Sequence, residues 1–185
     1  MADYLKYGDV IRLTNGYSGN WKGGYLCVGG PSNIDGGQDY VGTVSSLSGN
    51  ETATQWIIVS PLNQKPKGQN VLSCDQILLQ SAKDNSFLAL FNNKASNGQN
   101  LDVATSGGLG GTGSVAWHIF IRSNPQNDPQ LITEDQLFLL NSFNNGTGFL
   151  DTRGEGRSGF LYNVSASLLV DREGSGSGAW MITRG

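Results

Sequence analysis

The sequence is poor in the residues that usually carry catalysis. It holds one histidine, His118, and two cysteines, Cys27 and Cys74, in 185 residues. Histidine most often supplies the general acid or base, so its near-absence argues against acid–base enzymes. Two cysteines are too few for a disulfide framework, and two free, partly buried thiols are expected. With Cys27, Cys74 and His118 far apart, no zinc set is expected. Calcium needs clustered carboxylates, and in the best local group, Asp171-Arg172-Glu173, an arginine already offers a partner. The reading is therefore a chain with no catalytic residues, no metal site and no cofactor.

Charge is also scarce. Charged residues make up 15% of the chain, the net charge is −3, and no run of lysines or arginines occurs. That composition speaks against nucleic acid and anionic membrane surfaces as partners. No stretch approaches the roughly 18–20 apolar residues that span a bilayer, so no membrane insertion is expected. Met1-Ala2-Asp3-Tyr4 lacks the basic and apolar parts of a signal peptide. The expectation is a soluble protein, cytoplasmic or released without a signal. Sequons at Asn50, Asn145 and Asn163 carry little weight without evidence of secretion. No window repeats its apolar residues at helical spacing between caps, so no helix is expected.

What the chain has instead is 27 glycines, an apolar fraction of 37%, and one phrase said three times. Trp56-Ile57-Ile58, Trp117-His118-Ile119 and Trp180-Met181-Ile182 each read Trp-x-Ile, at spacings of 61 and 63 residues. Three upstream stations return in the same order. Asp9-x-Ile11-x-Leu13 matches Asp75-x-Ile77-x-Leu79 and Asp135-x-Leu137-x-Leu139. Tyr25-Leu26 matches Phe87-Leu88 and Phe149-Leu150. Val41-x-Thr43 matches Val103-x-Thr105 and Val164-x-Ala166. This is a threefold internal repeat, with repeats of about 4–62, 68–123 and 130–185 in a single domain over 1–185. Four of the five prolines fall in the two joints, which keeps those joints out of a sheet.

Each repeat carries four short alternating runs. In the first they are Val10–Leu13, Tyr25–Val28, Tyr40–Val44 and Trp56–Val59. In the second they are Gln76–Gln80, Phe87–Phe91, Leu101–Thr105 and Trp117–Ile121. In the third they are Gln136–Asn141, Gly148–Thr152, Leu161–Ala166 and Trp180–Thr183. A propeller of three blades would be too small, and a solenoid would need shorter units and distinct caps. The pattern resembles the β-trefoil superfamily. Gly8-Asp9-x-Ile11-x-Leu13, Tyr25-Leu26, Val41 and Trp56-x-Ile58 look like the stations of its fascin-like, inositol-trisphosphate-receptor (MIR) and ricin-B-like groups. The resemblance covers Asp9 to Ile182. It implies an all-β fold in which twelve strands form a six-stranded barrel closed by three hairpins, with pseudo-threefold symmetry. Ricin-type lectins place glutamine two residues before the closing tryptophan. Here Thr54, Val115 and Gly178 stand there, so that motif is absent from all three copies.

The repeated tryptophans read as core, and His118, whose counterparts are Ile57 and Met181, as an outward strand residue. Trp21 has no counterpart and sits in the turn Ser18-Gly19-Asn20-Trp21. It reads as a sugar-stacking platform, a protein contact, or a cap on the barrel end. Repeat three is densest in polar groups: Asp151 and Arg153 follow its aromatic–leucine station, and Tyr162-Asn163 precede its valine. Trefoil lectins in general bind sugars between these two stations, with a carboxylate, an amide and an aromatic face. The resemblance thus implies ligand residues Asp151, Arg153, Tyr162 and Asn163. In repeat one it implies Asn20, Trp21, Asp39 and Tyr40, and in repeat two Asn93 and Asp102. The alternative for Asp151 and Arg153 is a surface pair. The function expected is a non-catalytic, lectin-like module binding carbohydrate or glycoprotein through shallow sites in the repeats. The competing class is a protein-binding trefoil, such as a protease inhibitor or a cytoskeletal or receptor-interacting module.

Overall fold

Alternation decides the strands. In the computed structural model, which describes residues 2–94, 100–123, 128–143, 146–157 and 159–185, each Trp-x-Ile phrase begins a strand with Trp and Ile inward. Among the described residues twelve strands run β1 Val10–Asn15, β2 Tyr25–Pro31, β3 Asp39–Val44, β4 Trp56–Val59, β5 Gln76–Ser81 and β6 Phe87–Lys94. They continue with β7 Leu101–Ser106, β8 Trp117–Ser123, β9 Gln136–Phe143, β10 Gly146–Glu155, β11 Tyr162–Ser167 and β12 Trp180–Arg184. The one helical element among the described residues is a 3-10 turn at Pro61–Asn63. None is long and apolar enough to cross a membrane.

All described strand pairs are antiparallel and belong to one sheet. Ten strands close a circuit in the order β11-β3-β2-β1-β12-β9-β8-β5-β6-β7, joined back through Ser165 opposite Asp102. Of the remaining two, β4 pairs with β1 and β5, and β10 pairs with β9 and β11. The expected β-trefoil is therefore corrected. The fold is all-β, a closed ten-stranded antiparallel barrel with β4 and β10 added, rather than six barrel strands and three closing hairpins. The reason is physical: the repeated stations specify which side chains are buried, whereas pairing is set by backbone edges that carry no residue signature. Here β3, β7 and β11 pair with one another, and that carries the hairpin strands into the circuit.

The three tryptophans do the same work. Trp56, Trp117 and Trp180 are 0% exposed, at the centre of a core that includes Ile11, Leu79 and Leu137. Their indole N–H groups donate to the carbonyls of Leu26, Leu88 and Leu150 at 3.2, 2.9 and 2.9 Å. A buried indole needs that partner, and the leucine of the second station supplies it each time. At another end of the core Leu5, Val71 and Leu131, all fully buried, join in a cycle of backbone hydrogen bonds. Leu5 N–H donates to Leu131, Leu131 to Val71, and Val71 to Leu5, at 2.9, 2.8 and 3.0 Å. The joints before the second and third repeats thus become part of the closure.

The aspartate of the first station is a turn residue. Asp9, Asp75 and Asp135 accept from the backbone N–H of Lys6, Leu72 and Ile132 at 2.9, 2.9 and 3.0 Å. The residue before each aspartate takes a positive φ: Gly8 at 93°, Cys74 at 71° and Glu134 at 71°. Glycine meets that geometry without strain, but cysteine and glutamate do not. Cys74→Gly and Glu134→Gly should each stabilise the fold by about 0.5–1 kcal/mol, and Gly8→Ala should destabilise it by a similar amount. Urea unfolding of the three variants measures this. A loss of stability in both glycine variants would show that the turn is unstrained.

Both thiols are free, Cys27 buried and Cys74 exposed. Burial pushes the Cys27 thiol up to about 11. His118 lies half-buried between buried Trp117 and Ile119, on the outward face of β8.

Candidate functional site

Strands β3, β7 and β11 come from three different repeats and meet edge to edge. Tyr40 lies opposite Ala104, Asn163 opposite Gly42, and Ser165 opposite Asp102. Where they meet, the chain between β10 and β11 folds back over β3. A bulge between Arg153 and Glu155 starts the excursion, with Gly154 at φ 53°. The Asn163 side chain fastens it, donating to the Glu155 carbonyl at 2.7 Å and accepting from the Arg157 N–H at 3.1 Å. Leu161 N–H then donates to the Thr43 carbonyl at 2.6 Å.

The excursion places two side chains. The Phe160 ring lies against Gly42 and Gly29, where an added Cβ would sit 2.4 and 2.5 Å from ring carbons. Glycine in the middle of β3 is what lets the ring approach so closely. Arg157 sets its guanidinium 3.9 Å above the Tyr40 ring, a cation–π contact.

Around these groups is a small cavity of about 50 Å³, lined by Tyr40, Asp102, Arg153, Arg157, Phe160 and Asn163, among others. A larger cleft of about 480 Å³ shares Tyr40, Arg157 and Phe160 with it and runs along Gly29, Gly30 and Pro31. Burial raises the Asp102 carboxyl above its ordinary value, and the charges of Arg157 and Arg153 partly offset that rise. Arg153 is lowered, first by burial and then by the Arg172 charge.

Four of the ten residues expected from sequence therefore share one cavity: Tyr40, Asp102, Arg153 and Asn163. The others lie elsewhere. Tyr162 follows its own direction, edge-on to Tyr17 with ring centroids 5.0 Å apart, because neighbours on a strand face opposite sides. Asn20 is exposed at φ 50°, and the half-buried Trp21 ring packs toward Gly16. Asp39 is raised, first by burial and then by a hydrogen bond with Asp84. Asp84 is lowered against its own burial by hydrogen bonds from Ser86. The Asn93 side chain lies outside the described residues, as does the sequon at Asn145.

Asp151 is fully enclosed rather than open to a ligand. It accepts from Ser177 Oγ at 3.0 Å, and Arg172 Nε stands 3.4 Å from its other oxygen. The ion pair weighed for Asp151 and Arg153 is made instead with Arg172. Sequence reasoning passed over Arg157 and Phe160. The available signal was Gly42, a glycine inside a strand where the other repeats carry Ala104 and Ser165. Among the described residues no group of three or more histidines, cysteines, aspartates or glutamates is placed to hold a metal ion.

No protein-family model and no curated protein sequence matches the chain. Solved structures do match in fold. A Caenorhabditis elegans protein of unknown function superposes with a TM-score of 0.75 at 17% identity, covering 98% of this chain and 97% of that one. The SDF2-like protein from Arabidopsis thaliana gives 0.74 at 17%, covering 97% and 94%. The Saccharomyces cerevisiae protein O-mannosyltransferase Pmt1-Pmt2 complex bound to the sugar donor gives 0.77 at 16%, covering 99% of this chain and 25% of that one. At these identities the likeness is one of fold.

Proposed function

We propose that this is a non-catalytic carbohydrate-binding module whose ligand occupies the cleft beside β3, β7 and β11. The observation that carries the reading is the convergence of Tyr40, Asp102, Arg153 and Asn163, drawn from all three repeats, on one cavity. A single composite site thus replaces the separate shallow sites expected for each repeat. Asp102 accepts from sugar hydroxyls, Arg153 donates to them, and the Phe160 ring offers CH-stacking surface. Asn163 has a positioning role, since both ends of its amide hold the β10–β11 excursion. A quarter of one chain of the yeast complex shares this fold, and that complex is bound to a sugar donor, in keeping with the ligand class. Glycoside hydrolysis ordinarily needs two carboxyl groups across the bond. Among the described residues lining the cavity and the cleft, Asp102 is the carboxylate present.

The protein-binding alternative rests on Leu168, Leu169 and Val170, an exposed apolar run after β11. Calorimetry with a panel of mono- and disaccharides separates the two. The carbohydrate reading expects saturable heat, and Asp102→Ala should weaken it roughly ten- to a hundredfold. Trp21→Ala, outside the cleft, should leave it unchanged. The reverse pattern would move the site to the Trp21 turn, and no heat with any sugar would end the reading.

A further inference from the structure

We propose, resting on the carbohydrate reading above, that the ligand is an anionic sugar. Its acid group enters the small cavity between Arg153 and Arg157, and its ring lies in the larger cleft against Phe160.

Three observations converge on this. The charged residues lining the small cavity are Arg153, Arg157 and Asp102, a local positive excess in a chain of net charge −3.

Arg157 is held in a way that leaves its donors available. It is exposed, its guanidinium sits over the Tyr40 ring, and no hydrogen bond leaves that guanidinium toward a described residue. A cation–π contact uses the face of the group, while recognition of a carboxylate, sulfate or phosphate uses its edge. The Arg157 backbone is meanwhile pinned to Asn163 at 3.1 Å. The donor is thus positioned before a ligand arrives, which lowers the ordering cost of binding.

The space has two matched compartments. About 50 Å³ beside the arginines suits a group of a few atoms. The adjoining 480 Å³ falls within the range of small-ligand clefts. They share Tyr40, Arg157 and Phe160, so one ring bearing one acid group spans both. A neutral sugar reaches the smaller compartment only with its hydroxyls, toward Asp102 and Arg153, and places no charge there.

The test uses matched pairs on the intact chain: glucose against glucuronate, mannose against mannose 6-phosphate, and galactose against galactose 6-sulfate. The acidic member of at least one pair should bind about ten- to a hundredfold more tightly, and the pair that wins identifies carboxylate, phosphate or sulfate. Arg157→Gln should remove that preference, lowering affinity for the acidic partner far more than for the neutral one, with the melting temperature unchanged. Raising salt from 50 to 500 mM should weaken only the acidic ligand. Arg153→Gln should act in the same direction, and Asp102→Asn should strengthen binding of the acid. Equal binding of acidic and neutral partners would overturn the anion inference and leave the carbohydrate reading standing. Binding of neither would overturn both. A preference that survives Arg157→Gln and Arg153→Gln together would place the anion elsewhere and sink the assignment.

Discussion

Trp117→Ala is expected to cost about 3–5 kcal/mol, the largest effect of any single substitution considered. The indole is 0% exposed, and its N–H donates to the Leu88 carbonyl at 2.9 Å. Truncation therefore removes a large packed surface and leaves a buried carbonyl without its donor. For a domain of this size the melting temperature should fall by roughly 6–20 °C. The change is a large part of the 5–15 kcal/mol or so that ordinarily holds a domain together. Trp117→Phe separates the two contributions. It keeps an aromatic ring but loses the N–H, and should cost about 1–3 kcal/mol. Urea unfolding of both variants gives the numbers. If Trp117→Ala loses under about 1 kcal/mol, the shared-core argument for all three tryptophans is mistaken.

The same tryptophans explain why the strands were legible. Each of the twelve observed strands overlaps a run marked from sequence, and Trp56–Val59 agrees at both ends. The misses are at the ends. Reading from apolar alternation stops at Leu13, whereas β1 continues through Thr14 and Asn15. Asn15 is fully buried and donates from its amide to Ser177 and Ala179 carbonyls at 2.8 and 3.3 Å. A polar residue satisfied in this way extends a strand without leaving an apolar mark. Likewise β6 runs on to Lys94, past the last apolar residue, Phe91. The pairing order was not legible, because it depends on backbone edges far apart in the chain.

The lining of the candidate cavity was half legible, for reasons that separate cleanly. Tyr40, Asp102 and Asn163 flank the same valine station in three repeats, so strands that meet bring them together. Arg157 and Phe160 belong to an excursion that the other repeats do not mark, and a repeat-based reading has no column for them. Asp151 was misread for a third reason. Leu150, Asp151 and Thr152 are all buried in succession, so both faces of β10 are covered there. The segment carrying Arg172 and Ser177 lies over the outer face, with Arg172 also donating to the Thr152 carbonyl at 3.1 Å. Alternation on one strand cannot reveal a loop that returns to cover it.

That enclosure makes the Asp151 carboxyl a pH-sensitive element of the fold. Burial pushes it up to about 6 from an ordinary 3.8, against the hydrogen bond from Ser177 and the charge of Arg172. An acid whose folded value is raised binds its proton more tightly when folded. Its contribution to stability is therefore fully present below about pH 4 and is lost as pH rises through about 6. The difference between 6 and 3.8 corresponds to about 3 kcal/mol, most of it developing between about pH 4 and 6. The charged and titratable neighbours are Arg172, with its own partner Glu173, and Asp171, which shares Ser177 Oγ. Carboxyls lowered in the fold, including Asp75 and Asp84, act in the opposite sense and mainly below this window. Asp39 and Asp102 are raised and act in the same sense, so the comparison must isolate Asp151. Urea midpoints between pH 4.5 and 7.5 should fall with rising pH in the native sequence, and the slope should flatten in Asp151→Asn. Arg172→Met removes the nearby cation, so its transition should move to higher pH. An Asp151→Asn profile parallel to the native one would show that Asp151 is ionised throughout, with Arg172 offsetting its burial in full.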